Sequence, residues 1–302
     1  MIEISNDYKE RVIDGLINRF ETKKEFGLTT KQFVNRYGVS DSIISRLKKG
    51  ERGSLISDAK ILNAGIELEI TLSNQNWKTV ETDVLLQIVE EGTFCKNFST
   101  LRVMSDDCGI GKSHSGRYLC KTTANSFYVP CKRAKTRRQF IRALAKSIGL
   151  ECSGTDYAIA ERIIAILNSI PKPLIVLDDL GYVNNDSIMQ VLDFIDATEN
   201  ACGWYVIGDD SLEERMERGI RGKKTGFRAL FSRLNKRYSR AVPVERTQRI
   251  AFYKKLISDV IKANAPEGAN IAQLVNQCLK SDSGELIGDI RRAKSLLILH
   301  SN

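Results

Sequence analysis

The run Gly109-Ile110-Gly111-Lys112-Ser113 constrains what this chain can fold into more than any other feature. It follows the apolar stretch Leu101-Arg102-Val103-Met104 and opens a stretch of helical character from about Lys112 to Lys121. A glycine loop between a strand and a helix aims successive backbone N–H groups at one point, at the positive end of the helix dipole, and so cradles phosphate. The full pattern is G-x-x-x-x-G-K-[ST], and Asp106 stands where its first glycine is expected. Aspartate tolerates left-handed backbone better than most residues, so the turn survives, but its charge is expected to sit badly near phosphates. Lys112 is expected to reach the β- and γ-phosphates of ATP, and the Ser113 hydroxyl to ligate magnesium. The loop residues Asp107, Cys108, Gly109, Ile110 and Gly111, with His114 behind them, complete the expected ATP contacts.

The second half of such a site is expected at Leu174-Ile175-Val176-Leu177-Asp178-Asp179. An unbroken apolar run fits a central strand covered on both faces. The acid that ends it is the Walker-B carboxylate, which holds magnesium. Asp178 takes that role. Asp179 follows, as the group expected to polarise the attacking water, where a glutamate would reach one methylene further.

Around these motifs the chain divides into three regions. Residues 1–72 read as short helices, residues 73–245 alternate strands with helices, and residues 246–302 return to helices. The polar run Leu72-Ser73-Asn74-Gln75-Asn76 reads as the linker. The middle region implies an α/β fold with a parallel sheet of about five strands and crossover helices. Besides the two runs already named, strands are expected at Ser126–Val129, Trp204–Ile207 and Ala241–Val244, with Pro243 favouring an edge for the last. Helices are expected over 137–148, 157–168 and 187–197.

In the first region a helix from Thr30 to Tyr37 is expected to stop at Gly38, and Ser40 to cap a second helix starting at Asp41. Burial of Phe33, Val34, Val39, Ile44 and Leu47 makes this a helix-turn-helix pattern. Its second helix would present Ser42, Ser45, Arg46, Lys48 and Lys49 to a DNA major groove; the alternative is a small helical domain used for protein contacts. A second basic cluster, Lys132, Arg133, Lys135, Arg137 and Arg138, follows the second strand of the middle region. It reads as a DNA-backbone track or as a solvated face. The formal net charge of +9 suits a polyanionic partner such as duplex DNA.

Together these segments resemble the AAA+ ATPases of the transposition-regulator type, the family of the phage Mu B transposition protein and other transposase-helper ATPases. That resemblance implies a P-loop core, a helical lid over 246–302 and a similar N-terminal helix-turn-helix module. It places Asp209, after the fourth strand, at the polar sensor-1 position, where asparagine is usual. Phe227-Arg228-Ala229-Leu230-Phe231-Ser232-Arg233-Leu234-Asn235-Lys236-Arg237 is similar to the family's Leu-Phe-Ser-Arg-x-x-x-Arg box. It implies that Arg233, with Arg237 in reserve, reaches the γ-phosphate held by a neighbouring subunit. Gly288-Asp289-Ile290-Arg291-Arg292-Ala293 looks like the sensor-2 motif, with Arg291 closing over the phosphates. The implied activity is ATP hydrolysis by a homo-oligomer, ring or helical filament, assembled on duplex DNA and serving a transposase or similar recombinase. A helicase-loader-like replication ATPase uses the same residues. A helix-turn-helix regulator switched by nucleotide without turnover is another alternative; a small-molecule P-loop kinase is a further one, for which the basic N-terminal module and the helical C-terminal region do not call.

Several classes are disfavoured. No stretch approaches the roughly 18 apolar residues of a membrane helix. The start, Met-Ile-Glu-Ile-Ser-Asn-Asp, is acidic where a signal peptide would be basic. Seven scattered cysteines without CxxC spacing, and two histidines, fit reduced cytoplasmic thiols better than zinc or a disulfide framework.

Overall fold

The computed structural model describes residues 4–52, 55–68, 70, 77–279 and 288–300; the expected linker 72–76 lies outside the described residues. The N-terminal region holds α1 (Asn6–Glu21), α2 (Thr30–Tyr37), α3 (Asp41–Lys48) and α4 (Asp58–Leu68). A reciprocal capping box of Thr29 and Gln32 starts α2, and Gly38, at φ 70°, ends it. Ser40 then caps α3 through the Ile43 N–H. Such caps stabilise short helices by about 1 kcal/mol each, but helices of eight residues persist because one face is buried. Phe33, Val39, Ile44 and Leu47 supply that face, packed with Tyr8, Val12 and Leu16 of α1.

The middle region begins with α5 (Asp83–Phe98) and β1 (Leu101–Ser105), then α6 (Lys112–Thr122) and β2 (Ser126–Pro130). It continues through α7 (Arg137–Ile148), α8 (Asp156–Ser169), β3 (Leu174–Asp178), α9 (Asn185–Ala197) and β4 (Gly203–Gly208), and closes with α10 (Asp210–Arg221) and α11 (Phe227–Arg233). The strands pair in parallel in the order β1-β4-β3-β2. The period of two along each strand divides the core. Leu101, Val103, Ile175, Leu177, Trp204 and Val206 face one layer, with α7, α8 and α9. Met104, Leu174, Val176, Tyr205 and Ile207 face the other, with α5 and α6. Both faces of β3 and β4 are therefore covered, as their unbroken apolar sequences require.

The expected fifth strand at Ala241–Val244 does not form. One parallel bridge, Met104 to Ser239, is all that pairs there, beside β1. Pro243 has no N–H to give, and the N–H groups of Ala241 and Val242 instead donate to the buried carboxylate of Asp106, at 2.6 and 3.0 Å.

The third region is α12 (Arg246–Asn264), α13 (Ile271–Leu279) and α14 (Ile290–His300), closed around Ile257, Ile261, Leu274, Val275, Ala293 and Leu297. The N-terminal helices dock on α7: Asn35 Nδ2 donates to the Gly149 carbonyl at 3.2 Å, and Lys146 pairs with Glu67 at 2.8 Å. No helix among the described residues is long and apolar enough to cross a membrane.

Candidate nucleotide site

The parallel sheet brings the ends of β1, β3 and β4 to one edge, where open α/β sheets bind ligands. The phosphate loop leaves β1 there, Asp178 ends β3, and Asp209 follows β4. Within the loop, Gly109 and Gly111 sit at φ 78° and 97°, which only glycine adopts without strain. A side chain at 109 would also strike the Asp289 carboxylate. Gly111 caps α6 without a side-chain acceptor, so the first-turn N–H groups of that helix remain for an anion.

Asp106 corrects the sequence reading. It does not occupy left-handed backbone, and its carboxylate is not turned on phosphate. At 1% exposure it accepts the N–H groups of Asp107, Ala241 and Val242, tying the loop base to the segment after Ser239. The glycine of the general pattern is replaced by a strut.

Lys112 is buried, with Nζ donating to the Asp106 carbonyl at 2.6 Å and also to that of Asp107. A bound nucleotide's phosphates would replace these carbonyls. Ser113 and Asp178 line one cleft, with His114, whose Nε2 lies 3.0 Å from the Thr79 hydroxyl. Two oxygen ligands, one from a buried carboxylate and one from a helix-start serine, suit a hard cation such as magnesium. The Tyr128 hydroxyl, on β2, donates to Asp178 Oδ2.

Asp179 adopts left-handed backbone at φ 58°, held by its N–H to the Ile207 carbonyl at 2.9 Å. Burial, then the adjacent Asp178 charge, push its carboxyl up, while Lys132 opposes them. Lys132, expected as a DNA contact, thus stands beside this acid. Asp209 caps α10 by accepting the Ser211 N–H at 3.1 Å and also takes the Cys108 thiol at 3.4 Å. Burial pushes its carboxyl up, but hydrogen bonds from Ser211 and Cys108 outweigh that and hold it below the usual range.

The C-terminal helices rest on the loop. The Ile290 N–H donates to the Gly109 carbonyl at 3.0 Å. Asp107 Oδ2 accepts from Arg249 Nη2 and from the Tyr253 hydroxyl of α12, each at 2.5 Å. Arg291, in the first turn of α14, is exposed and near enough for its charge to act on the Cys108 thiol. Arg233 ends α11 in a two-pronged pair with Asp196 of α9, Nε–Oδ1 2.6 Å and Nη2–Oδ2 2.8 Å. Arg237 is exposed.

Ser42, Ser45, Arg46, Lys48 and Lys49 are all exposed on or just after α3, where Arg46 pairs with Glu51 and Lys48 with Glu21, both at 2.7 Å. Lys132, Arg133, Lys135, Arg137 and Arg138 are exposed after β2. Arg137 donates to Gln190 at 2.9 Å, and Arg138 lies 4.0 Å from Asp156. No residue of α3 lines the cleft that holds Ser113 and Asp178, whereas Lys132 and Arg133 do.

Sequence reasoning missed Tyr128, Arg249 and Tyr253. Tyr128 reaches Asp178 because β2 pairs with β3 in a register that sets Tyr128 opposite Val176, two residues before the acid. Nothing local encodes that pairing. Arg249 and Tyr253 fall four apart on one helix, a spacing visible in sequence, but their target lies over 140 residues away.

Residues 107–216 match the AAA domain family. The core is an AAA+ P-loop fold. It is similar to the crystal structure of Cdc6p from Pyrobaculum aerophilum, with a TM-score of 0.52 and 15% identity over 76% of this chain. The chain covers 63% of that structure's length, and the likeness concerns the fold. No curated protein matches the sequence.

Proposed function

We propose that this protein is an ATP-dependent, DNA-binding AAA+ ATPase that assembles on DNA and delivers it to a transposase or similar recombinase. The observation that carries the ATPase part is the convergence of the Gly109–Ser113 loop, Asp178 and Asp209 on one edge of the sheet, beneath the lid. The loop N–H groups and Lys112 would bind the triphosphate, and Arg291 would close on it from the lid. Ser113 and Asp178 would hold magnesium, which supplies charge neutralisation between the β- and γ-phosphates. Asp179 would orient the attacking water and take its proton as the γ-phosphoryl group breaks from the β–γ bridging oxygen, leaving ADP, and bonds to the water oxygen. Arg233 would stabilise transition-state charge in a neighbouring subunit, after leaving Asp196. That step breaks an exposed pair; such pairs contribute about 0–1 kcal/mol, and the two-pronged geometry puts this one at the upper end.

DNA contact is supported by the exposed basic face of α3 and by the 132–138 cluster. A second reading, a helicase-loader-like replication ATPase, uses the same residues. Its support is the likeness of the fold to Cdc6p from Pyrobaculum aerophilum. ATP hydrolysis is measured with and without non-specific duplex DNA, for wild type and Arg233→Ala. DNA-stimulated turnover that disappears in Arg233→Ala supports an assembly-dependent ATPase. Nucleotide binding with no turnover in any sample refutes hydrolysis and leaves a nucleotide-gated regulator. Co-purification with a transposase or with a replicative helicase then separates the two partners.

A further inference from the structure

We infer that the cleft between the N-terminal helices and the ATPase core is a binding site for a single strand of nucleic acid, separate from the α3 surface. The cleft measures about 1260 Å³ and runs from Ser113 and Asp178 to the N-terminal helices. Ten lysine and arginine side chains line it against three carboxylates, so its net charge approaches that of the whole chain. Two of the three carboxylates are Asp178 and Asp179 of the nucleotide site. Of the charged groups in the rest of the lining, only Glu67 is not a cation, which is the electrostatic footprint of a phosphate backbone.

Charge alone would suit any polyanion; the aromatic residues choose among them. Three half-buried rings line the cleft, each with a cation over its face: Phe26 beneath Arg19 at 4.0 Å, Tyr128 beneath Arg117 at 5.2 Å, and Trp77 beneath Lys294 at 5.5 Å. The first pair lies in the N-terminal region, the second in the ATPase core, and the third joins Trp77 of the core region to Lys294 of the C-terminal helices. A strand entering the cleft would draw these cations from the rings onto its phosphates and leave the ring faces to unstacked bases. A duplex keeps its bases stacked and presents only edges and phosphates, so it has no use for such rings. Size agrees: pockets of about 300–1,000 Å³ enclose a drug-sized ligand. This cleft therefore has room for a triphosphate with unstacked nucleotides beside it. Lys132 stands at the junction, lining the cleft while its charge acts on Asp179. A strand in the cleft would compete for Lys132 and so act on the hydrolytic site.

The test uses the full chain and an oligothymidylate of about twelve nucleotides, within the range of single-strand sites. Saturating ADP keeps the phosphate loop filled. Trp77 and the core residue Trp204 are the only tryptophans, so quenching of intrinsic fluorescence reports stacking on Trp77. Binding is expected with quenching, and with a log–log salt slope of about −4 if six phosphates are neutralised. Lys78→Ala/Arg133→Ala/Lys294→Ala, three exposed cleft positions, is expected to weaken binding roughly tenfold or more and to flatten the slope by about 2. Arg46→Ala/Lys49→Ala on the α3 surface is expected to leave single-strand binding unchanged. An oligouridylate arm assigns the strand to DNA or RNA, by preference or its absence. Unchanged affinity and slope in the triple variant overturn the inference, as does single-strand binding that ADP abolishes, since the strand would then have occupied the phosphate loop. Failure to bind ADP counts against the nucleotide reading, while the triple-variant comparison still decides the cleft.

Discussion

Replacing Asp106 by the glycine of the general phosphate-loop pattern is expected to damage the protein. Asp106 is 1% exposed and accepts three backbone N–H groups, two of them from Ala241 and Val242, well over a hundred residues away. Hydrogen bonds to a charged group contribute about 1.5–3 kcal/mol each, and buried donors left without acceptors cost about as much. Losing the two long-range bonds therefore costs about 3–5 kcal/mol, and glycine adds about 0.5–1 kcal/mol of backbone entropy. At roughly 2–4 °C per kcal/mol for a core of this size, Asp106→Gly is expected to lower Tm by roughly 10–15 °C. Asp106→Asn keeps one acceptor oxygen but loses the charge, so about half that drop is expected. Thermal unfolding by circular dichroism measures the stability, and calorimetric titration with ATP measures binding. An Asp106→Gly protein that melts within about 2 °C of wild type and binds ATP more tightly would refute the strut and restore the reading of Asp106 as a mere charge penalty.

Other expectations follow from the site. Tyr128→Phe removes the hydroxyl on Asp178, so the magnesium concentration needed for half-maximal nucleotide binding should rise several-fold with little change in Tm; an unchanged magnesium titration would show the hydroxyl to be idle. Asp196→Ala releases Arg233 without removing it, so DNA-stimulated turnover should persist there while Arg233→Ala loses about 10³-fold or more, in the range of an arginine finger. Equal losses in both variants would assign the pair to packing of α9 against α11. Cys108 is exposed, but burial of its sulfur and its hydrogen bond to Asp209 raise its pKa, so less thiolate forms at neutral pH. Its alkylation by a maleimide should be slower than that of free cysteine at neutral pH, should accelerate as pH rises, and should be blocked by ADP; alkylation indifferent to ADP would place the nucleotide elsewhere.

Local order was largely legible in the sequence. Thr29, Gln32, Gly38 and Ser40 announce the bounds of α2 and α3, because caps and left-handed glycines act within a few residues. The apolar runs of β3 and β4 announce buried central strands, because parallel strands covered on both faces have no polar side to show. The glycine loop between β1 and α6 is legible as local backbone, and Asp178 as the acid that ends the apolar run of β3. Pairing between distant segments decided the rest. Ala241–Val244 carries a strand's composition, yet its N–H groups go to Asp106, a competitor that sequence proximity cannot reveal. Tyr128 becomes a partner of Asp178 only through the β2–β3 register, and Arg233 is tied to Asp196 only where α11 meets α9. The cleft, with cations from all three regions and rings from two, exists in no single stretch of the chain. Sequence by itself determined what propensity, capping and contiguous backbone control; the tertiary structure decided which side chains answer one another, because a hydrogen bond or an ion pair is satisfied by nearness in space and not by order along the chain.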